Sequence, residues 1–114
     1  MTEEESHPSI VVVDDSAEDL SLVGRLLRQC NLMNPVVALA SGAECIKWLK
    51  ANSSRLPVLV LMDLIMYPTS GLDVLKAMKQ MGILDAVPVI MLSGIRDVKV
   101  IHEGYQLGAK TFLI

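Results

Sequence analysis

Residues 58–62, Val-Leu-Val-Leu-Met, form an apolar, partly β-branched run behind Pro57, and the run ends in a carboxylate, Asp63. Such a run reads as a short strand buried on both faces. A turn-rich segment follows, Tyr67-Pro68-Thr69-Ser70-Gly71, and then a helical pattern begins. The chain must therefore fold so that an acid stands at the carboxyl end of an interior strand, where open α/β sheets bind their ligands. Asp also ends strands simply because it forms turns. The ligand-site reading is preferred because two further acids arrive at the same edge.

Those acids follow the first strand. Ile10-Val-Val-Val13 is β-branched and ends in Asp14-Asp15. Ser16 can cap the next helix, with Glu18 and Asp19 in its positively polarised first turn, and Leu20, Val23, Leu26, Leu27 and Cys30 recur at helical spacing. Asn31 to Pro35 breaks the pattern. Val36 to Ala40 is a second strand. Ser41 with Glu44 is a capping-box signature, and Ala43, Ile46 and Leu49 give a second helix its apolar stripe. After strand three, Leu72, Leu75, Met78 and Met81 mark a third helix, with Gly82 where a left-handed terminator belongs. Pro88 precedes strand four, Val89-Ile-Met-Leu92, which ends in Ser93-Gly94. Val98, Ile101 and Tyr105 mark a fourth helix, although Gly104 inside it costs roughly 1 kcal/mol. Gly108-Ala109 closes that helix, and Thr111-Phe-Leu-Ile114 begins a fifth strand.

Strands alternating with helices imply an α/β fold, a parallel sheet with helices on both faces and right-handed crossovers. Asp14, Asp15, Asp63 and Ser93 then share one edge. Three carboxylates in one pocket repel one another and raise their own pKa values unless a cation neutralises them. An oxygen-only, carboxylate-rich set with open positions suits Mg²⁺, which keeps waters and bridges to phosphate. A divalent metal beside a free carboxylate oxygen points to phosphoryl chemistry, because the cation offsets the charge that would repel a phosphoryl group.

Composition removes other classes. The 114 residues suit one domain, and 52% apolar with 20% charged residues describe a globular chain. A net charge of −3 offers no basic footprint for nucleic acid or anionic lipid, and no apolar run is long enough to span a bilayer. Residues 1–8 read as a flexible acidic tail, without the regions of a signal peptide. Cys30 and Cys45 fall in different helices without metal spacing. They read as buried thiols in a reducing cytoplasm.

Asp14-Asp15 after strand one, Asp63 after strand three, Gly71 eight residues on and Ser93 after strand four resemble the receiver domain of two-component response regulators. The resemblance covers residues 9–114. It implies a flavodoxin-like, doubly wound five-stranded sheet in the order 2-1-3-4-5. Asp63 matches the phosphoacceptor that takes a phosphoryl group from a histidine kinase or histidine phosphotransfer protein. Asp15 and Asp63 match direct Mg²⁺ ligands, Asp14 an acid that acts largely through water, and Ile65 the position whose backbone carbonyl completes the metal site. Ser93 matches the switch hydroxyl, and Phe112 the aromatic switch that turns inward when the hydroxyl moves. The implied protein is a cytoplasmic signalling module rather than an enzyme. Its output runs through a protein partner or an effector domain outside residues 1–114, with no direct contact to nucleic acid or membrane.

The chain departs from the family in two places. The family's Lys after strand five would be residue 115. Lys110 lies at the opposite end of the strand and is no substitute. The family's fifth helix is absent as well, which would leave apolar surface bare beside the first helix. A C-terminally incomplete receiver is expected, with a degenerate, phosphorylation-independent interaction module as the alternative. The second departure is Tyr67-Pro68, where the family has Pro at the position of Tyr67, so the loop after Asp63 is expected to be reshaped.

Ile65 and Ile95 lie two residues after Asp63 and Ser93. As branched hydrocarbons flanking the site they would exclude, and fail to orient, the water that hydrolyses an acyl phosphate. They read equally as ordinary apolar loop residues. A flavin-binding or phosphatase function on the same architecture is disfavoured. Asp14-Asp15 would repel a flavin phosphate, and position 65 lacks the second Asp of an aspartyl phosphatase.

Overall fold

The computed structural model describes residues 7–92 and 98–113; Ser93 and Ile95 lie outside them. Strands β1 (Ile10–Val13), β2 (Val36–Leu39), β3 (Leu59–Asp63), β4 (Val89–Leu92) and β5 (Thr111–Leu113) form one parallel sheet in the order β2-β1-β3-β4-β5. Helices α1 (Ala17–Gln29), α2 (Gly42–Ala51), α3 (Gly71–Gln80) and α4 (Val98–Leu107) make the crossovers. This is the flavodoxin-like arrangement expected from the alternation of elements and the family order.

The strand alternation sorts the side chains by face. Val11, Val13, Val60, Met62, Val89 and Met91 are fully buried and share one core with Cys45 and Leu49 of α2 and Val74, Leu75 and Met78 of α3. Helix α1 packs on β1 and β2 from the other side, and among the described residues none of its side chains joins that core. On this second face Val12 is buried at 1% exposure, whereas Leu59, Leu61, Ile90 and Leu92 are only half-buried and Leu113 is exposed. Burial of β3 on both faces is therefore realised fully on one face and partly on the other.

The same face corrects two readings of α1. Leu26 is 52% exposed, and Cys30 is exposed with its thiol on the Leu26 carbonyl, so only Leu20, Val23 and Leu27 of the expected stripe are partly covered. A stripe shows which side chains share a helix face, and the neighbouring elements decide how much of that face is covered. Cys45 is buried as expected, and burial pushes its thiol up to about 12.

Helix ends follow from local hydrogen bonding. Ser16 Oγ accepts from the Asp19 N–H and Ser41 Oγ from the Glu44 N–H. Glu44 reaches back one residue further than a capping box requires, its Oε2 accepting from the Ala40 N–H at 2.9 Å. A full capping box forms instead at Ser70 and Asp73, whose side chains each accept from the other's backbone N–H. Gly82, at φ +73°, donates to the Lys79 carbonyl while Ile83 donates to that of Met78. That pair of bonds is a Schellman closure, which needs the left-handed residue that Gly supplies without strain.

Candidate phosphoryl and metal site

Register brings the acids together. Val13 pairs with Met62, so the next residues along the two strands, Asp14 and Asp63, emerge side by side at the carboxyl edge. The Asp14 N–H still donates to Leu39 O of β2, which holds it in line with the sheet. Asp15 follows Asp14 beyond the end of β1 and is exposed. One carboxylate oxygen from each of Asp14, Asp15 and Asp63 lies within 4.8 Å of the others. The three acids singled out from the sequence thus converge.

Their surroundings differ. Asp14 is 8% exposed, Asp63 is half-buried and Asp15 is exposed. Burial pushes the Asp14 carboxyl above the usual carboxylate range. The Ser16 N–H donating to its Oδ1 at 2.9 Å works against that, and the nearby Asp19 and Asp15 add to it. Asp63 is raised for the same reasons: burial first, opposed by the Ile65 N–H on its Oδ1 at 3.3 Å, and reinforced by Asp14, Asp15 and Asp19. Desolvated acids that repel one another favour either a shared proton or a cation. Three oxygen donors with an open side toward solvent fit a hard divalent ion such as Mg²⁺ better than a soft one.

The loop after Asp63 is held by two glycines. A Cβ at Gly71 would lie 2.6 Å from Met91 Cε, 2.7 Å from the Asp63 carbonyl oxygen and 3.0 Å from Leu64 Cα. The Gly71 N–H also donates to Leu64 O at 2.9 Å. The chain thus folds back on Asp63 so closely that any side chain at position 71 would displace it. A Cβ at Gly42 would sit 2.8 Å from Thr69 Cγ2 and 2.9 Å from Thr69 O, so the start of α2 grips the far end of the loop. Sequence reading marked Gly71 by spacing and missed Gly42; its place immediately after the Ser41 cap gave no sign that Thr69 lies against it. Leu64 and Met66 anchor the loop in the core, while Ile65 (40%) and Tyr67 (80%) face solvent. The Tyr67–Pro68 bond is cis, in the segment where reshaping was expected.

Phe112 and Lys110 are on and just before β5, which β4 separates from β3. Phe112 is beside Met91, on the far side of β4 from β3, and is half-buried against α4. Ser93 follows Leu92, the register partner of Asp63, but is outside the described residues. Lys110 is exposed before β5, where its N–H donates to Val89 O.

An open parallel sheet with an acidic cluster at the carboxyl ends of β1 and β3 makes a candidate metal site on a flavodoxin-like scaffold, and comparison narrows the class. Residues 10–114 match the family model described as the response regulator receiver domain. The chain is 30% identical over 110 residues to the two-component response regulator ORR3 of rice, Oryza sativa, an alignment covering 96% of this chain and 81% of that one. It is 28% identical to the response regulator Rcp1 of Synechocystis over 99% of its own length and 80% of that protein. Among solved structures it superimposes on the phosphorylated cyanobacterial phytochrome response regulator RcpA with a TM-score of 0.83, at 29% identity, covering 94% of this chain and 79% of that one. A receiver domain protein from Clostridium thermocellum gives a TM-score of 0.81 at 26% identity, covering 93% and 80%. The chain belongs to the response regulator receiver domain family.

Proposed function

We propose that this receiver domain is a phosphoacceptor: Asp63 takes a phosphoryl group from a phosphohistidine on a histidine kinase or histidine phosphotransfer protein. The observation that carries this reading is the convergence of the Asp14, Asp15 and Asp63 carboxylates within 4.8 Å. A carboxylate oxygen of Asp63 attacks phosphorus, the P–N bond breaks, and the imidazole nitrogen keeps the electron pair and then takes a proton. The product is an acyl phosphate on Asp63. Mg²⁺ bound here would neutralise the acids and the incoming phosphoryl oxygens.

Asp15 and Asp63 are the proposed direct ligands, with Asp14 acting largely through water. The Ile65 backbone carbonyl completes the set. The Ile65 N–H already bonds Asp63, which keeps that stretch of backbone beside the carboxylate. Ser93 supplies a hydroxyl to the phosphoryl group, and Phe112 carries the change to the surface of α4 and β5. The free Cys30 and Cys45 suit a cytoplasmic setting. The output is a downstream protein or an attached effector domain. The relative described as phosphorylated is support from similarity alone.

The test is intact mass after incubation with Mg²⁺ and phosphoramidate, for the natural gene product and its Asp63→Ala variant. One phosphoryl adduct that needs Mg²⁺ and is lost in the variant is expected. No adduct on the natural protein, with Mg²⁺ binding intact, would transfer the assignment to a phosphorylation-independent interaction module.

A further inference from the structure

Every helix of this parallel sheet starts at the carboxyl edge and ends at the opposite, amino edge. Side chains that complement the helix dipoles therefore gather with one sign at each edge. The first turns of α1, α2 and α3 hold Glu18, Asp19, Glu44 and Asp73, at the same edge as the site acids. Their last turns hold Arg28, Lys50 and Lys79, and Arg55 and Lys110 precede β3 and β5 at that end. Among the described residues Lys99 opposes the first set and Asp85 the second, and the five basic side chains are all exposed. Dipole complementation accounts for these charges but not for the apolar side chains left in water at the same two places. Leu32 and Met33, after α1, and Val58, before β3, are exposed at the amino edge. Hydrogen bonds fix the segments that carry them on either side of the start of β1: Asn34 Nδ2 donates to Pro8 O and the Val58 N–H to Ser9 O, both at 2.8 Å. At the carboxyl edge Ile65 and Tyr67 are exposed, on the loop that Gly71 and Gly42 pin.

Each edge thus presents apolar side chains among charges of one sign, and the signs are opposite. Apolar groups rimmed by charge mark interaction surfaces. The surface on the page that matches the amino edge in both respects is the chain's own carboxyl edge. We propose that the amino edge of one copy docks head to tail on the carboxyl edge of a second. Leu32, Met33 and Val58 then lie against Ile65 and Tyr67, and the basic side chains meet the acids of α1 and of the site. Both segments are already held by hydrogen bonds or close backbone packing, which lowers the ordering cost of docking. The contact is heterologous, so a pair keeps one free edge of each sign and can add further copies. Docking also closes the solvent side of the Asp14, Asp15 and Asp63 cluster. Occupancy by a divalent ion and docking of a second copy therefore oppose one another, by the same factor in both directions. The docking rests on exposed residues and does not depend on the phosphoacceptor reading.

Sedimentation equilibrium of the natural gene product tests this. At low ionic strength the mean mass should rise above that of the monomer as concentration increases. In about 1 M salt, where exposed charges are screened, it should return to the monomer's, and Mg²⁺ at matched ionic strength should lower it as well. Two variants close one edge each. Lys50→Glu with Lys79→Glu reverses the amino edge, and Glu18→Lys with Tyr67→Lys reverses the carboxyl edge. Each variant should be monomeric alone. Mixed, each supplies the edge that the other lacks, so they should form a pair that stops at twice the monomer mass. That outcome belongs to a head-to-tail contact and shows both variants to be folded. A wild type that stays monomeric at millimolar concentration and low salt, an assembly that persists in high salt, either variant assembling like the wild type, or a mixture that stays monomeric would overturn the docking. An assembly that keeps its mass with Mg²⁺ bound would overturn the opposition between docking and metal. No Mg²⁺ binding at all would sink the metal reading and leave the docking to be decided by the mixture.

Discussion

Asp63→Asn should make the metal-free protein more stable at neutral pH, although it removes the proposed reactive group. Two unit charges 4.8 Å apart repel by about 0.9 kcal/mol at the dielectric of water and about 3.5 kcal/mol at an effective dielectric of 20. Asp15 is exposed and Asp63 half-buried, so the lower figure is nearer. Neutralising Asp63 relieves its repulsion with both Asp14 and Asp15, about 2 kcal/mol together, while the Asn oxygen can still accept from the Ile65 N–H. At roughly 4 °C per kcal/mol for a chain of this length, the gain in Tm is about 8 °C at low ionic strength. The pH dependence has a definite sign. The folded pKa of Asp63 is raised, so the folded state holds its proton more tightly than the unfolded chain. The penalty is absent below the unfolded value of 3.8 and develops as pH rises through the folded value. The advantage of Asp63→Asn should therefore shrink as pH falls toward 4, and also in 1 M salt. Mg²⁺ at ten times its Kd should stabilise the wild type by about 1.4 kcal/mol and the variant by less. Thermal unfolding across pH, with and without Mg²⁺, measures all of this. A variant less stable than wild type at pH 7 without metal, or a difference independent of pH, would refute the reasoning.

Two further outcomes follow from the same geometry. Gly71→Ala should destabilise the protein by about 1–3 kcal/mol in urea unfolding and weaken Mg²⁺ binding, because the new methyl meets Met91 and the Asp63 carbonyl; an unchanged midpoint would mean that the loop can move aside. Ile65→Asn should shorten the phosphorylated lifetime, followed by loss of the mass adduct, since position 65 is exposed two residues after Asp63, with its N–H on the Asp63 carboxylate, and a polar amide there can orient water; an equal or longer lifetime would count against hydrocarbon shielding at this position.

The strands and their acids were legible because both signals are local. A β-branched run announces a buried strand, and register then carries each terminal acid to the shared edge. What stayed hidden depends on contacts distant in sequence. Ser70 and Asp73 form the capping box, with Asp where the usual signature has Glu or Gln, while Ser41 and Glu44, which match the signature, bond one residue off it. Leu26 and Cys30 fit a buried stripe by spacing, yet no described element covers them. Gly42 serves a loop 27 positions on, at Thr69, and the cost of Gly104 made sense only once the Phe112 ring was placed against it. The expected strand Val58–Met62 is shifted by one. Val58 is 44% exposed, although its N–H still donates to Ser9 O, and Asp63 takes the last ladder position.

Locating the acyl phosphate tests the central claim most directly. After labelling with Mg²⁺ and phosphoramidate, borohydride reduces an aspartyl phosphate to homoserine, and peptide mass spectrometry identifies the residue converted. Conversion at Asp63, with Asp14 and Asp15 unchanged, is the predicted result. Conversion at another aspartate, or an adduct that survives borohydride without any conversion, would contradict Asp63 as the phosphoacceptor.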